Sequence, residues 1–190
     1  MIVGLLLAAG GARRFGSQKL VAQIGGVPIV RSAADALVSR VDQLVVVTGS
    51  DSALVRDALA GVDARCIENA EWAAGLSTSL RAGILAVERD AAAVVIALGD
   101  QPGLDPELVR AVIDTWRATG KPIVATRYRG TRGHPVLLER AVFGEASGVR
   151  GDVGARMLIE RDATRVAYVD VEADAPRDVD TPMDLEGTSS

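Results

Sequence analysis

The chain has 190 residues, of which 48% are hydrophobic and 24% are charged, so its size and composition predict one folded domain spanning residues 1–190. The net charge of −4 and the few, scattered aromatic residues argue against a nucleic-acid partner, and the apolar runs are too short to cross a membrane. No basic segment precedes the apolar N-terminus, as it would in a secretion signal, so we expect a cytoplasmic protein with no nucleic-acid or membrane partner.

The N-terminal stretch ends in a basic, glycine-rich loop. Residues 2–8 are apolar and predict a buried strand, and the loop that follows contains Gly10, Gly11, Arg13 and Lys19. Glycines let the backbone approach a ligand closely, and the free N–H groups of such a loop bind anions. The glycine spacing matches neither the dinucleotide fingerprint nor the Walker A motif. The loop therefore predicts a polyphosphate site of another kind; the alternative is an ordinary β–α loop with surface arginines.

The rest of the chain alternates between apolar runs and helical patterns. The runs predict strands at residues 44–48, 64–67, 91–98, 122–126, 134–138 and 165–169. Helical spacing predicts helices after Pro28, over 53–59, after Thr78, after Pro106 and over 157–160. The run at 91–98 is apolar throughout, which is typical of a parallel strand buried on both faces. We therefore expect an α/β fold, a Rossmann-like three-layer sandwich with a mostly parallel central sheet.

Small and hydroxyl residues precede the helix that is predicted after Thr78. Ser77 or Thr78 is expected to cap this helix, and Gly75 lies just before them. The unpaired N–H groups of a helix start also suit the polar atoms of a ligand. The segment therefore indicates either a ligand-binding loop or a cap without a ligand.

An aspartate follows the strand predicted at 91–98. Asp100 lies between Gly99 and the Gln101-Pro102 pair, and the proline stops the strand from continuing. Ligands of open α/β sheets bind at the carboxyl ends of the strands, so Asp100 is well placed to hold a hard cation. The alternative is an aspartate that caps a helix or a turn.

Three later residues are further candidates. His134 is the only histidine of the chain and begins a predicted strand, where a structural role is the alternative. Arg156 precedes a short predicted helix and could reach the cleft. In the acidic tail, Thr181 and Pro182 predict a helix start, and Asp180 lies just outside its cap. A carboxylate there could complete a metal site, whereas the alternative is a solubilising acidic end.

Four segments resemble, in order, the signature motifs of the MobA-like nucleotidyltransferases, and most closely those of the molybdenum cofactor cytidylyltransferases. They are LAAGGARRFGSQK at 7–19, GLSTSLRAG at 75–83, GDQP at 99–102 and DVDTPMDL at 178–185. Two shorter segments, GHPV at 133–136 and GDVGAR at 151–156, resemble the same family. Phe15 stands where the first motif usually has methionine. The resemblance covers nearly the whole chain and implies the fold of the nucleotide-diphospho-sugar transferases.

The resemblance also implies roles for particular residues. It implies that Asp100 and Asp180 hold Mg²⁺, and that Arg13, Lys19 and Asp100 are catalytic. His134 and Arg156 correspond to the acceptor side of the cleft. The nucleotide-binding residues that it implies are Leu7, Ala8, Ala9, Gly10, Gly11, Arg13, Lys19, Gly75, Ser77 and Thr78.

The implied reaction is the Mg²⁺-dependent transfer of a nucleoside monophosphate from an NTP to the phosphate of molybdopterin, with release of pyrophosphate. CTP is favoured because the segments at 75–83 and 133–136 resemble the cytidylyl enzymes. GTP is the alternative because Gly10-Gly11 is typical of the guanylyl branch, although that branch has aspartate at the position of Gln18. A molybdoenzyme or its chaperone is a further partner that this reaction would allow. Other hypotheses are an oxidoreductase or a non-catalytic cofactor-binding protein with the same cleft, and a sugar-phosphate nucleotidyltransferase.

Overall fold

A central sheet organises the molecule. The computed structural model describes residues 1–10, 19–87, 89–151 and 154–176. In this part of the chain, seven strands form one sheet in the order β5-β4-β1-β6-β8-β7-β9. The strands are β1 (Ile2–Ala8), β2 (Gln23–Ile24), β3 (Val27–Pro28), β4 (Gln43–Thr48), β5 (Arg65–Glu68), β6 (Ala93–Leu98), β7 (Ile123–Tyr128), β8 (Thr131–Glu139) and β9 (Val166–Val171). Strands β2 and β3 form a separate antiparallel ribbon.

The strand directions confirm a mostly parallel sheet. Strand β1 pairs in parallel with β4 on one side and with β6 on the other, and β7 pairs in parallel with β9. Strand β8 is antiparallel to both of its neighbours, β6 and β7. All seven residues of β1 are buried, as expected for a central strand covered on both faces.

Helices cover both faces of the sheet. They are α1 (Ile29–Val38), α2 (Ser52–Ala58), α3 (Leu76–Ala86), α4 (Pro106–Thr119), α5 (Phe143–Gly148) and α6 (Arg156–Arg161). Successive side chains of β1 point to opposite faces, so Leu5 belongs to the same core cluster as Leu80 of α3, and Leu6 to the same cluster as Leu37 of α1. One outer layer of the expected three-layer sandwich consists of α3, α5 and α6, and the other consists of α1, α2 and α4. In the described part of the chain, no helix has the length and apolar content that crossing a membrane requires.

Local signals set both ends of α4, and its start lies where the sequence predicts it. The Asp105 side chain accepts a hydrogen bond of 2.8 Å from the backbone N–H of Glu107, and Pro106 occupies the first helical position. At the other end Gly120 has a left-handed φ of 63°, a conformation that glycine adopts without the cost a side chain would impose.

The start of α3 differs from its prediction. The helix begins at Leu76, and its N-cap is Gly75, which has no side chain to supply a capping bond. Ser77 and Thr78 therefore lie inside the first turn, and the expectation that one of them caps the helix is wrong. Gly75 has a φ of 107°, which side-chain-bearing residues rarely adopt, so the glycine allows the chain to turn into the helix two to three residues earlier than expected.

Candidate active site

The carboxyl ends of β1 and β6 lie side by side at one edge of the sheet. Leu7 pairs with Leu98 in the parallel register, and the Leu7 carbonyl accepts a hydrogen bond of 2.9 Å from the N–H of Gly99. The two strands therefore deliver Ala9 and Asp100 to the same edge. This is where ligands bind in open α/β sheets.

Two glycines make room for the chain that leaves β1. A Cβ on Gly49, which follows β4, would lie 2.3 Å from the carbonyl oxygen of Ala9. A Cβ on Gly99, which follows β6, would lie 3.0 Å from the Cβ of Ala8. Both strands that flank β1 are thus followed directly by a glycine. The backbone at Ala8 and Ala9 passes closely between these two glycines.

An ion pair spans this edge of the sheet. The Nζ of Lys19 donates to Oδ2 of Asp100 at 2.9 Å, although the two residues are 81 positions apart. Their side chains are 13% and 30% exposed, so the pair lies in the cleft rather than on the open surface. Lys19 begins a single 3₁₀ turn, Lys19–Val21, whose next residue, Leu20, is buried. The buried leucine anchors this turn beside the end of β1.

A cleft of about 620 Å³ opens over the ion pair. Of the residues expected to bind the nucleotide or to act in catalysis, it is lined by Leu7, Ala9, Gly10, Lys19, Gly75 and Asp100. Its remaining walls are Leu20, Trp72, Ala73, Ala74, Leu76, Ser79 and Leu98. Ala8 is buried next to this cleft. The structure thus brings Gly10 and Lys19, the segment before α3 and the end of β6 together.

Ser77 and Thr78 do not line this cleft. They border a second cavity of about 450 Å³ on the other side of the Ala73-Ala74 pair. The N–H of Ser77 donates to the Gly151 carbonyl at 3.2 Å. Ser79, for which the sequence indicated no role, faces the cleft instead. The expected contact of Ser77 and Thr78 with a nucleotide therefore has no support from their position.

A buried amide holds the wall of the cleft in shape. The Nδ2 of Asn69 donates to the hydroxyls of Thr78 at 2.9 Å and Ser79 at 3.1 Å, and its Oδ1 accepts from the N–H of Glu71 at 3.0 Å. The Thr78 hydroxyl in turn lies 2.9 Å from the Gly75 carbonyl. Asn69 was not expected at the site, since nothing in its local sequence marks it as buried.

His134 and Arg156 share a third cavity, of about 290 Å³, that has Leu76 and Leu98 in common with the main cleft. Gln101 and Arg132 line it as well, and neither was singled out from the sequence. This cavity therefore lies next to the main cleft.

The backbone around His134 is held by two side chains of β7. The hydroxyl of Tyr128 donates to the His134 carbonyl, and that of Thr126 to the Pro135 carbonyl, both at 2.8 Å. The pairing of β7 with β8 shifts register at this point, between Ala125 and Thr126, and the His134–Pro135 peptide bond is cis. Burial raises the pKa of Tyr128 to about 12, so its hydroxyl remains a hydrogen-bond donor at neutral pH.

One carboxylate joins the two arginines of the third cavity. Oε1 of Glu160 accepts from Arg132 at 2.7 Å and from Arg156 at 2.8 Å. The hydrogen bond from Arg156, with a smaller contribution from Arg132, lowers the pKa of Glu160. Two guanidinium groups and one carboxylate leave a net positive charge at the rim, which suits an anionic ligand.

Three expected site residues lie outside the described part of the chain. They are Gly11 and Arg13 of the first loop and Asp180 of the acidic tail. Their roles stay predictions from the sequence.

The family of the chain follows from a comparison with known protein families. The profile of the MobA-like NTP transferase domain matches residues 4–166. The chain belongs to this family. It is therefore a nucleotidyltransferase of the MobA-like type, and the match includes β1 from Gly4 onwards, the segment before α3, Asp100 and His134.

Individual relatives of this MobA-like chain carry different names. Nicotine blue oxidoreductase of Paenarthrobacter nicotinovorans is 31% identical over 95% of this chain and 92% of its own length. A probable molybdenum cofactor guanylyltransferase of Natronomonas pharaonis is 34% identical over 58% of this chain and 55% of its own length. Proteins similar to this one thus include both an oxidoreductase and a transferase by name.

Solved structures confirm the fold. The crystal structure of Rv0371c from Mycobacterium tuberculosis H37Rv superposes with a TM-score of 0.87 at 31% identity, over 99% of this chain and 97% of that one. Its complex with manganese superposes with a TM-score of 0.81 at 32% identity, over 98% and 96% of the two chains. A structure of a close relative thus contains a divalent metal.

The donors at the cleft suit a hard divalent cation. Asp100 supplies carboxylate oxygens, and one of them, Oδ2, already accepts a hydrogen bond of 2.9 Å from the ammonium group of Lys19. No cluster of three or more His, Cys, Asp or Glu side chains occurs among the residues that the structure describes. Mg²⁺ keeps several of its waters and takes one or two carboxylates, so a sparse donor set around Asp100 fits it.

Proposed function

We propose that this nucleotidyltransferase moves a nucleoside monophosphate from CTP, or alternatively from GTP, to the phosphate of a molybdopterin-type acceptor. The observation that carries the proposal is the Lys19–Asp100 pair, which lies in a 620 Å³ cleft at the carboxyl ends of β1 and β6. A cation, a carboxylate and the glycine-containing end of β1 together make a place for a triphosphate.

Each part of the cleft has a role in this reaction. The backbone at Leu7 to Gly10 cradles the nucleotide, and Lys19, with Arg13, stabilises the charge that grows on the departing pyrophosphate. Asp100, with Asp180, is the residue that would hold Mg²⁺, whose chemistry here is neutralisation of phosphate charge. The third cavity, with His134 and Arg156, receives the acceptor.

The transfer needs no general base. An oxygen of the acceptor's phosphate forms a bond to the α-phosphorus of the NTP, and the bond from that phosphorus to the bridging oxygen of the β-phosphate breaks. Pyrophosphate leaves with the electron pair. A phosphate monoester is already anionic near neutral pH, so no proton has to be removed, and positioning and charge stabilisation carry the catalysis. We place this reaction in the cytoplasm and in one domain.

The base preference of the transfer is tested by comparing the four NTPs directly. The protein is incubated with Mg²⁺, molybdopterin and each NTP in turn, and pyrophosphate and the nucleotide-linked product are measured. We expect both products with CTP, or with GTP if the glycines of the first loop decide the choice. Release of pyrophosphate without a nucleotide-linked molybdopterin would show that molybdopterin is not the acceptor. If no NTP gives pyrophosphate with molybdopterin, the assay is repeated with a sugar phosphate as the acceptor. Absence of pyrophosphate with both acceptors would reject the transfer reaction.

An oxidoreductase is the second candidate, because a relative with that name is 31% identical over 95% of the chain. This alternative predicts that a dinucleotide binds in the cleft and that no pyrophosphate is released from any NTP. Adding NAD(H) and NADP(H) to the protein, and measuring binding by calorimetry beside the pyrophosphate assay, separates the two candidates.

A further inference from the structure

The carboxylate of Asp100 already has a cationic partner in the cleft. The Nζ of Lys19 lies 2.9 Å from its Oδ2, and the lysine side chain is only 13% exposed. A pair this well enclosed is screened by water much less than a pair on the open surface. The ammonium of Lys19 is thus held at the position to which a metal ion would be attracted.

A divalent ion and this ammonium would repel each other at Asp100. Lys19 contacts Oδ2 at 2.9 Å and Mg²⁺ binds a carboxylate oxygen at about 2.0–2.1 Å, so the two cations would lie within roughly 5 Å of each other if they shared Oδ2, and within roughly 7 Å if the metal took Oδ1. Three positive charges would then lie close together in a partly enclosed site, where like charges repel strongly. The lysine side chain has a flexible four-carbon stem, so it can move away if another anion accepts it.

We propose that Lys19 and the divalent metal compete for Asp100, and that the metal binds there only when Lys19 has moved to another anionic group. This inference rests on the proposed function for the identity of that group, the triphosphate of the incoming nucleotide. Lys19 therefore exchanges its contact with Asp100 for contacts with phosphate oxygens when the nucleotide binds. Metal and nucleotide binding are coupled through this exchange, and the coupling acts equally in both directions.

The competition is tested by metal binding alone. Mn²⁺ is added in steps to the full-length protein without nucleotide or acceptor, and the free ion is followed by electron paramagnetic resonance. Lys19→Met removes the competing charge, and we expect it to bind Mn²⁺ roughly tenfold or more tightly than the wild type. The chain has one other lysine, Lys121, which donates to the Thr164 carbonyl far along the sequence. Lys121→Met makes the same charge change and should leave Mn²⁺ affinity unchanged.

Two further variants identify the carboxylate. Asp100→Asn should weaken Mn²⁺ binding, and the double variant Lys19→Met/Asp100→Asn should lose the gain that Lys19→Met produces, because that gain depends on Asp100. Lys19→Arg retains a cation and should bind Mn²⁺ as weakly as the wild type. Circular dichroism checks that each variant is folded, and Lys19→Gln replaces Lys19→Met if the latter unfolds.

Equal Mn²⁺ affinity for the wild type, Lys19→Met and Lys121→Met would overturn the proposal. A gain that persists in the double variant, or an equal gain in Lys121→Met, would overturn it as well, since the effect would then be one of overall charge. The measurement contains no nucleotide, so its outcome is independent of the transfer reaction. Absence of the proposed transferase activity from the wild-type protein, with the Mn²⁺ gain of Lys19→Met intact, would refute the proposed function and leave the competition standing.

Discussion

Gly49→Ala changes a residue outside the cleft and should damage the cleft through the backbone. The added Cβ would lie 2.3 Å from the Ala9 carbonyl oxygen, whereas ordinary contacts begin at 3.4 Å, so the two atoms must separate by about 1 Å. The obstacle is backbone rather than the end of a flexible side chain. The segment that follows β1, Ala9 and Gly10, therefore has to move, and it lines the 620 Å³ cleft.

The displacement gives two expected magnitudes. Forcing an extra carbon into a packed site costs about 1–3 kcal/mol, which lowers Tm by roughly 2–12 °C for a chain of this size. A misplacement of about 1 Å at a reacting site can cost on the order of 100-fold in rate, so we expect kcat/KM for the NTP to fall roughly 10- to 100-fold. Thermal unfolding followed by circular dichroism measures the first effect, and pyrophosphate release measures the second.

A matched glycine provides the control. A Cβ added to Gly144 in α5 would have no neighbouring atom within 4 Å, and the φ of this glycine is not left-handed. Gly144→Ala should therefore keep the wild-type Tm or raise it slightly, and leave kcat/KM unchanged. If Gly49→Ala matched the wild type in both Tm and kcat/KM, the close approach of Gly49 to β1 would not support the cleft and our reasoning would be refuted.

Three further changes test the fold around the cleft. Asp105→Ala removes the cap of α4 and should cost about 1 kcal/mol in urea unfolding; an unchanged midpoint would mean that the cap contributes nothing. Tyr128→Phe removes the donor to the His134 carbonyl and should lower the free energy of unfolding by roughly 1–3 kcal/mol in the same measurement. An unchanged free energy of unfolding would mean that water replaces the hydroxyl as the donor. Hydrogen bonding from Arg165 lowers the pKa of Glu145 in the folded protein. The pair therefore stabilises the fold fully above the unfolded-state pKa of about 4.3, and this stabilisation is lost as the pH falls through the lower folded-state pKa. Glu145→Gln should be less stable than the wild type at pH 7 and should lose less stability between pH 5 and pH 3, and parallel pH profiles for the two proteins would contradict this.

Local signals in the sequence predicted much of the fold. Asp105 and Pro106 begin α4 as expected, because a capping side chain and a proline at the first turn act within a few residues of each other. The apolar run before Asp100 forms a central strand that is parallel to β1, so the sequence could also place this carboxylate at the ligand-binding edge of the sheet. These features depend on neighbours along the chain.

Features that depend on contacts distant in sequence were harder to predict. Ser77, Thr78 and Ser79 are chemically similar, and one position along a helix rotates a side chain by about 100°. An error of two or three residues in the helix start therefore changes which side chain is expected to face the cleft. Asn69 gains its role from hydroxyls 9 and 10 positions away, which no local pattern reveals. The Lys19–Asp100 contact likewise depends on the order of the strands.

The requirement for Asp100 is the most direct test of the proposed transfer. CTP or GTP labelled at the α-phosphate is incubated with Mg²⁺, the acceptor and either the wild type or Asp100→Asn, a variant of nearly the same shape. We expect the wild type to move the label to the acceptor, and Asp100→Asn to do so at least roughly 100-fold more slowly with an unchanged Tm. Transfer of the label at the wild-type rate by Asp100→Asn would contradict the account.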